Sequence, residues 1–98
     1  MTPGDLEELL GYYSVHRDDE MMVVGLFDPE KYKISVNLTK CPNPREYYVT
    51  LLHEFIHAWD NNDYMTEDEV ECMAQELVND KNYVGILRNT LPYSSWDY

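Results

Sequence analysis

The segment 53–57, with the sequence HEFIH, constrains the fold of this chain more than any other feature. Its two histidines are four residues apart, so on an α-helix their directions differ by only about 40° and they can share one metal ion. Apolar residues recur around the segment at helical spacing and predict the core face of a helix that ends near Asp60. They are Tyr48, Leu52, Phe55, Ile56 and Trp59. The pattern therefore requires a helix that carries both imidazoles at the edge of its buried face.

Glu54 lies beside the first histidine, where its carboxylate can reach a metal-bound water without itself binding the metal. Zinc lowers the pKa of such a water to about 7, and a carboxylate can take its proton as the water attacks a carbonyl. We therefore expect His53 and His57 to bind zinc and Glu54 to act as the general base. The simpler interpretation is two histidines on an exposed helix face, but polar rings without partners are costly beside a buried face.

A zinc site of this type needs a third protein ligand and an open fourth position, and three acidic residues are candidates. Asp63 has a spacing that some families use, but those families turn sharply at a glycine where this chain has Asp60. Glu67 lies in the first turn of the next predicted helix, where we expect a solvated charge, and it is the reserve candidate. Glu71 lies at the edge of the apolar face of that helix, as the histidines do on theirs. We therefore expect Glu71 to be the third ligand.

The first part of the chain predicts a helix and a small sheet. The helix begins at Thr2 or Gly4, and Gly11 ends it. Strand-like segments follow at residues 12–16, 21–27 and 32–38. Because polar turns separate them and the last one alternates between polar and apolar residues, they predict a two- or three-stranded antiparallel meander.

The second part of the chain predicts helices with clear starts. Asn43 suits the cap of the helix that carries the motif, with Pro44 at its first position. Thr66 and Glu69 match a capping box that opens the Glu71 helix, and a short helix or turn follows near residues 84–87. The expected fold class is α+β, with the sheet packed on the motif helix and on the Glu71 helix.

Length and charge limit the functions that the chain can have. The sequence has 98 residues without repeats or linkers, so we expect a single domain over residues 1–98. With 19 acidic and 7 basic side chains the net charge is −12, which argues against binding to nucleic acid or to a membrane. No spanning segment or signal peptide is visible, and the expected location is cytoplasmic. Cys41 and Cys72 predict two separately buried thiols, with a disulfide as the alternative.

The order of these elements resembles the minigluzincins, single-domain members of the glutamate-zincin metallopeptidases. The resemblance covers the chain in outline and rests on His53, Glu54, His57 and Glu71. It implies a minimal zincin-like domain in which the two histidines and Glu71 bind one Zn²⁺ ion. It also implies hydrolysis of a peptide or protein substrate, with Glu54 as general base and acid. The substrate would bind in extended form along a strand at the rim of the cleft, for which the candidate is residues 32–38.

The resemblance also bears on Gln75 and on the C-terminal segment. Larger members of the clan have an aspartate four residues after the glutamate ligand; Gln75 is at that position and can hydrogen-bond a zinc-bound histidine. Minigluzincins are described as latent forms whose C-terminal segment blocks the cleft. Residues 92–98, through Trp96, Asp97 and Tyr98, suit that role, and the alternative is a frayed terminus. If this tail is inhibitory, its removal raises peptidase activity.

Other features leave alternatives open. A tyrosine or histidine that stabilises the oxyanion is expected, and Tyr64, Tyr83 and Tyr93 are the nearest in sequence to the motif. His16 is expected to have a surface or packing role. The alternative functions are a catalytically silent zinc-containing binding or regulatory module and a small acidic inhibitor that mimics nucleic acid. The metal ligands and the aromatic residues argue against the inhibitor, and we expect a monomer or a small homo-oligomer.

Overall fold

The computed structural model describes residues 1–90, which form an α+β fold, as the sequence predicts. In chain order the elements are α1 (Pro3–Tyr12), β1 (Ser14–Arg17), β2 (Gly25–Asp28), β3 (Lys33–Val36), a 3₁₀ turn (Leu38–Lys40), α2 (Pro44–Trp59), α3 (Glu67–Leu77) and α4 (Lys81–Thr90). None of the helices in this range has the length and apolarity needed to cross a bilayer. The predicted inhibitory tail, with Trp96, Asp97 and Tyr98, lies outside the described residues.

Three of the helices begin at caps that the sequence indicates. Thr2 caps α1 in a reciprocal capping box with Asp5, and Asn43 caps α2 ahead of a proline. Thr66 and Glu69 form the predicted capping box at the start of α3. Each cap satisfies backbone N–H groups that have no partner inside the first turn. The start of α3 is therefore fixed locally, and the acidic residues of that helix receive defined positions.

The sheet is mixed, so the predicted antiparallel meander is wrong for one of its two strand pairs. The strand order is β1-β3-β2, with β2 antiparallel and β1 parallel to β3. Residues 18–24 pass the end of β3 to the far edge of the sheet instead of turning back as a hairpin. Asn37 holds this crossing loop, because its side-chain amide donates to the carbonyl oxygens of Asp19 and Met21. The Asp19 carboxylate in turn accepts from the backbone N–H of Leu38.

The apolar run at residues 21–27 is only partly a strand. Strand β2 begins at Gly25, and the residues before it belong to the crossing loop. The apolar composition of this run predicts a buried strand, but Met22 is 93%, Val23 51% and Leu26 50% exposed, so that prediction is wrong for both halves of the segment. The structure thus leaves an apolar surface beside the outer edge of the sheet.

Helix α2 lies at the centre of the core and contacts α1, α3 and strands β2 and β3. Its fully buried side chains are Tyr47, Tyr48, Leu51, Leu52, Phe55 and Ile56. Trp59 was also expected in the core, but it is 39% exposed and lies at the edge. Because α2 is enclosed by several elements, the groups on its remaining open side are held rigidly.

The two cysteines are free thiols, and only Cys41 is buried. Its Sγ lies 3.5 Å from the carbonyl oxygen of Asn37, and burial raises the pKa of this thiol, which makes it unreactive. Cys72 is exposed on α3. The prediction of two separate thiols is confirmed, whereas the predicted burial of Cys72 is wrong.

Candidate metal centre

Helix α2 directs the motif residues into a cleft of about 430 Å³ between strand β2 and helix α3. The side chains of His53 and His57 are 16% and 18% exposed, and Glu54 is buried. The Nε2 atoms of the two histidines are 3.2 Å apart. Both nitrogens therefore point to one place, as the spacing of four residues predicts.

Glu67, the first residue of α3, brings a carboxylate to the same place. Its Oε1 lies 2.9 Å from Nε2 of His57, and its Oε2 lies 3.1 Å from Nε2 of His53. The ligand atoms of these three residues all lie within 4.8 Å of one another. Ligand atoms around a tetrahedral zinc ion, with bonds of about 2.0–2.1 Å, are about 3.3 Å apart. Two imidazoles and a carboxylate at these distances fit a zinc ion after small adjustments.

Glu71, which we expected to be the third ligand, lies on the other nitrogen of His53. Its Oε2 is 2.8 Å from Nδ1 of that ring. A carboxylate only accepts hydrogen bonds, so Nδ1 donates to Glu71, and with a metal bound Nε2 would present its lone pair to the ion between His57 and Glu67. Such a carboxylate typically orients the histidine of a metal site. The structure thus brings the reserve candidate, Glu67, into the donor group and places Glu71 against the far side of the His53 ring.

Gln75 lies one helical turn beyond Glu71 and is hydrogen-bonded to it. Its Nε2 donates to Oε1 of Glu71 at 3.1 Å, and its Oε1 accepts from Nη1 of Arg45 at 2.9 Å. The expected partner of Gln75 was a histidine, and its observed partner is the carboxylate behind that histidine. Sequence reasoning missed Arg45 altogether. A signal existed, because a cation in the first turn of a helix opposes the helix dipole and indicates another partner.

The loop between α2 and α3 explains why Asp63 is not in the donor group. The carboxylate of Asp60 accepts from the backbone N–H groups of Tyr64 and Met65, at 3.2 and 2.7 Å. Within this turn Asp63 has a positive φ of 57° and an exposed side chain. Asp60, which stands where those families have a glycine, therefore organises the loop by hydrogen bonds. Helix α3 then supplies the carboxylates that reach the histidines.

Gly25 allows strand β2 to approach Glu54 closely. A Cβ atom at this position would lie 3.1 Å from Oε2 of Glu54 and 2.8 Å from Cγ2 of Thr50. The glycine within the apolar run is thus explained by this close contact. Burial raises the pKa of Glu54 above its ordinary value, against the opposing influence of His53 and His57. A carboxyl group with a raised pKa suits proton transfer near neutral pH.

The tyrosines suggested by the sequence do not supply an obvious oxyanion group. The hydroxyl of Tyr83 donates to the backbone carbonyl of Met1 at 2.7 Å, and Tyr64 is 84% exposed. Tyr93 lies outside the described residues. Lys40 lines the cleft, and sequence reasoning did not single it out. His16 is exposed and contacts the hydroxyl of Ser14 at 2.8 Å, which agrees with its expected surface role.

The strand expected to bind substrate lies in the wrong place for that role. Residues 32–38 contain β3, which is the central strand and is paired on both sides. Such a strand has no free backbone groups to pair with a peptide. Strand β2 is the edge strand beside the cleft, since Val24 and Gly25 line it.

The comparisons of this chain with family models, with curated proteins and with solved structures gave no match.

Proposed function

We propose that this chain is a zinc-dependent peptidase with a minimal zincin-like fold. The observation that carries the proposal is the convergence of three donor groups beside a buried carboxylate. The donors are His53, His57 and Glu67, and the buried carboxylate is that of Glu54. Three protein ligands leave zinc an open position for chemistry. The same donor types also suit non-haem iron, but a buried acid that is not a ligand favours hydrolysis.

In this proposal Glu67 is the third ligand and Glu71 orients His53. The assignment differs from the one that the sequence favours, in which Glu71 itself binds zinc. It is supported by the contact of Glu67 with both Nε2 atoms and by the contact of Glu71 with Nδ1. With Glu67 as ligand, the residue four positions later is Glu71. A carboxylate then stands where larger members of the clan have an aspartate, which Gln75 does not provide when Glu71 is the ligand.

The proposed chemistry depends on proton transfers by Glu54. When bound, zinc supplies Lewis acidity that polarises a carbonyl oxygen and makes water more acidic. Glu54 accepts one proton from the attacking water as the new C–O bond forms. It then donates that proton to the amide nitrogen as the C–N bond breaks, which releases a carboxylic acid and an amine. Strand β2 passes close to the Glu54 carboxylate at Gly25, and in this proposal that approach limits movement of the carboxylate during both transfers.

The proposed substrate is an extended peptide segment that adds to the outer edge of β2. This strand has β3 on one side, and its other edge has no strand partner within residues 1–90. Backbone pairing binds a peptide with little dependence on its sequence, and side-chain contacts provide selectivity. Val24 and Leu26 are 40% and 50% exposed on this strand and the residue before it, which favours substrates with apolar side chains.

The metal is tested first, by metal analysis of the purified full chain after extensive dialysis. We expect one zinc per chain and an anomalous-scattering peak at the zinc edge among His53, His57 and Glu67. A chain that binds no divalent metal, or that retains iron in place of zinc, would contradict the proposal.

Activity is tested with a quenched peptide library on the full chain and on a chain that ends at residue 92. The shortened chain is included because the predicted tail would block the cleft. Glu54→Gln keeps the shape of the side chain but removes its basicity, so it should abolish cleavage while zinc content is unchanged. Cleavage that survives this substitution would rule out Glu54 as the general base.

A catalytically silent zinc module is the second candidate. It is favoured by the contacts of Tyr83, since its hydroxyl is already bonded to the backbone of Met1 and is not directed at the cleft. The same assays separate the two functions. A silent module would bind zinc with equal affinity in the parent chain and in Glu54→Gln, and neither chain length would cleave the library.

A further inference from the structure

A continuous chain of hydrogen bonds leads from the proposed metal centre to Arg45 in the first turn of α2. It passes from Nδ1 of His53 to Glu71 at 2.8 Å, from Glu71 to Gln75 at 3.1 Å, and from Gln75 to Arg45 at 2.9 Å. We propose that Gln75 and Arg45 are positioning residues that fix Glu71 and, through it, the metal-binding nitrogen of His53. This inference rests on the proposed zinc site.

This series of hydrogen bonds has only one consistent assignment of donors and acceptors. A guanidinium only donates, so the oxygen of the Gln75 amide faces Arg45 and its NH₂ group faces Glu71. The Glu71 carboxylate then accepts from Gln75 at Oε1 and from His53 at Oε2. Arg45 therefore selects the amide orientation that donates to Glu71, and both carboxylate oxygens are held.

The positions of these residues along the two helices explain how the series of hydrogen bonds arises. On α3, Glu67, Glu71 and Gln75 are spaced by four residues and lie on one face. Along α2 their partners run in the opposite direction, with His57 against Glu67, His53 against Glu71 and Arg45 against Gln75. Arg45 thus extends the row of polar contacts between α2 and α3 beyond the proposed metal ligands, and it is the last residue of that row on α2.

Arg45 has a second contact that supplies a matched control. Its Nη2 lies 3.4 Å from Oδ1 of Asn79, two residues beyond the end of α3. This contact joins α2 to the segment that follows α3, but it leads away from Glu71 and from the histidines. Asn79→Ala therefore removes a contact of Arg45 without interrupting the proposed series of hydrogen bonds.

The experiment measures Zn²⁺ affinity of the full-length chain by competition with a chromophoric chelator. Changes in groups that support metal ligands weaken binding by roughly 10–100-fold, and Gln75 acts one residue further out. We therefore expect Gln75→Met to weaken affinity by about three- to tenfold and Arg45→Met to weaken it less. Because Arg45 acts through Gln75, the double variant should bind no more weakly than Gln75→Met. Asn79→Ala should bind as the parent does.

A spectroscopic measurement separates positioning from a merely structural role. In zinc-loaded protein the proton on Nδ1 of His53 should give a downfield ¹H resonance, and its exchange with water should be faster in Gln75→Met and Arg45→Met. These variants change half-buried side chains, so we expect them to fold. Variants that unfold at lower temperature but keep the parent affinity and proton exchange would overturn the proposal.

Zn²⁺ binding by the parent chain distinguishes failure of the positioning role from failure of the proposed zinc site. If it binds Zn²⁺ and all variants match it, the positioning role is wrong and the zinc site stands. If the parent itself binds no Zn²⁺, the proposed function and the positioning role both fail.

Discussion

Glu67 and Glu71 have different roles in the proposed site, although their chemistry and their helix face are the same. Glu67 contacts both metal-binding nitrogens, whereas Glu71 contacts only Nδ1 of His53. We expect Glu67→Ala to remove a ligand and to weaken Zn²⁺ affinity by well over 100-fold, and Glu71→Ala to weaken it by about 10–100-fold. Chelator competition on both variants checks this order, with Glu76→Ala, an exposed acid on the same helix, as the control. The reverse order would restore Glu71 as the third ligand.

Sequence reasoning predicted which residues meet in this cleft better than how they are arranged there. Helical spacing was sufficient for His53, Glu54 and His57, because one helix fixes their relative positions. Glu67 and Glu71 lie one turn apart on the same face, so their order depends on how far α3 slides along α2. That offset is set by the loop that Asp60 organises, and no periodicity encodes it.

Gly25 gives a second prediction at the residue scale. Its φ is not in the left-handed region, so Gly25→Ala is strained only by contact with Thr50 and Glu54. Such crowding costs about 1–3 kcal/mol and should displace the Glu54 carboxylate, so both stability and peptidase activity should fall. Thr50→Ser removes the methyl group at 2.8 Å and should partly restore both in the double variant.

Gly11→Ala is the control for this experiment, because nothing lies within 4 Å of its added methyl group. It should leave activity unchanged and raise stability slightly, since alanine is the better helix former. A Gly25→Ala variant that is as stable and as active as the parent would contradict the close-contact interpretation.

At the scale of elements, helix α3 supplies two of the acids of the site, so its start should affect metal binding. Thr66→Ala removes the cap directly before Glu67 and should cost about 0.5–2 kcal/mol of unfolding free energy. It should also weaken Zn²⁺ affinity, because the first turn becomes less ordered. Thr2→Ala removes the equivalent capping box of α1 and should lower stability without changing affinity. Equal affinities in both variants would show that the α3 cap is irrelevant to the site.

Helices were predictable from sequence because their signals are local. The sheet was predictable only in part, since the pairing of β2 with β3 is antiparallel as predicted and that of β1 with β3 is parallel. The caps at Thr66 and Asn43 lie within four residues of the groups that they bind. The parallel pairing of β1 with β3 depends instead on contacts between Asn37 and the crossing loop, 16 and 18 residues away. Alternation along a strand indicates which face is buried but not which neighbour it has.

Asp19 provides a pH test of the contacts that hold the crossing loop. The hydrogen bond from Arg17 lowers the pKa of Asp19, and the backbone N–H of Leu38 adds to the effect. A folded-state pKa below the unfolded value gives stability that is present above the unfolded pKa of about 4 and is lost as pH falls through the folded pKa. Asp19→Asn should therefore unfold at a lower temperature than the parent at pH 7, and the difference should shrink toward pH 3.

Asp63→Asn is the matched control for Asp19, because its side chain is exposed and asparagine tolerates its positive φ equally well. Its unfolding temperature should follow that of the parent at both pH values. An Asp19→Asn deficit that persists unchanged at pH 3 would show that the charge of Asp19 is not the cause.

At the scale of the whole molecule, a small core and a net charge of −12 make a bound cation a large contribution to stability. The proposed site joins α2 to α3 through residues that the unfolded chain does not hold together, so zinc bound there would favour the folded state. At a free zinc concentration 100 times the dissociation constant, this linkage adds about 2.7 kcal/mol. A domain of this size gains about 4–8 °C per kcal/mol, so the unfolding temperature should rise by about 10–20 °C. A chelator should reverse the shift.

Two variants test whether the rise in unfolding temperature comes from zinc bound at the proposed site. Glu54→Gln keeps all three donors and should show the full shift, whereas His53→Ala/His57→Ala should show none, because it leaves only carboxylates. Zinc bound to scattered acids of a chain with 19 acidic side chains would instead stabilise all three proteins alike. A shift confined to the parent and Glu54→Gln would therefore locate the stabilising ion at the junction of α2 and α3, where the proposed peptidase chemistry requires it.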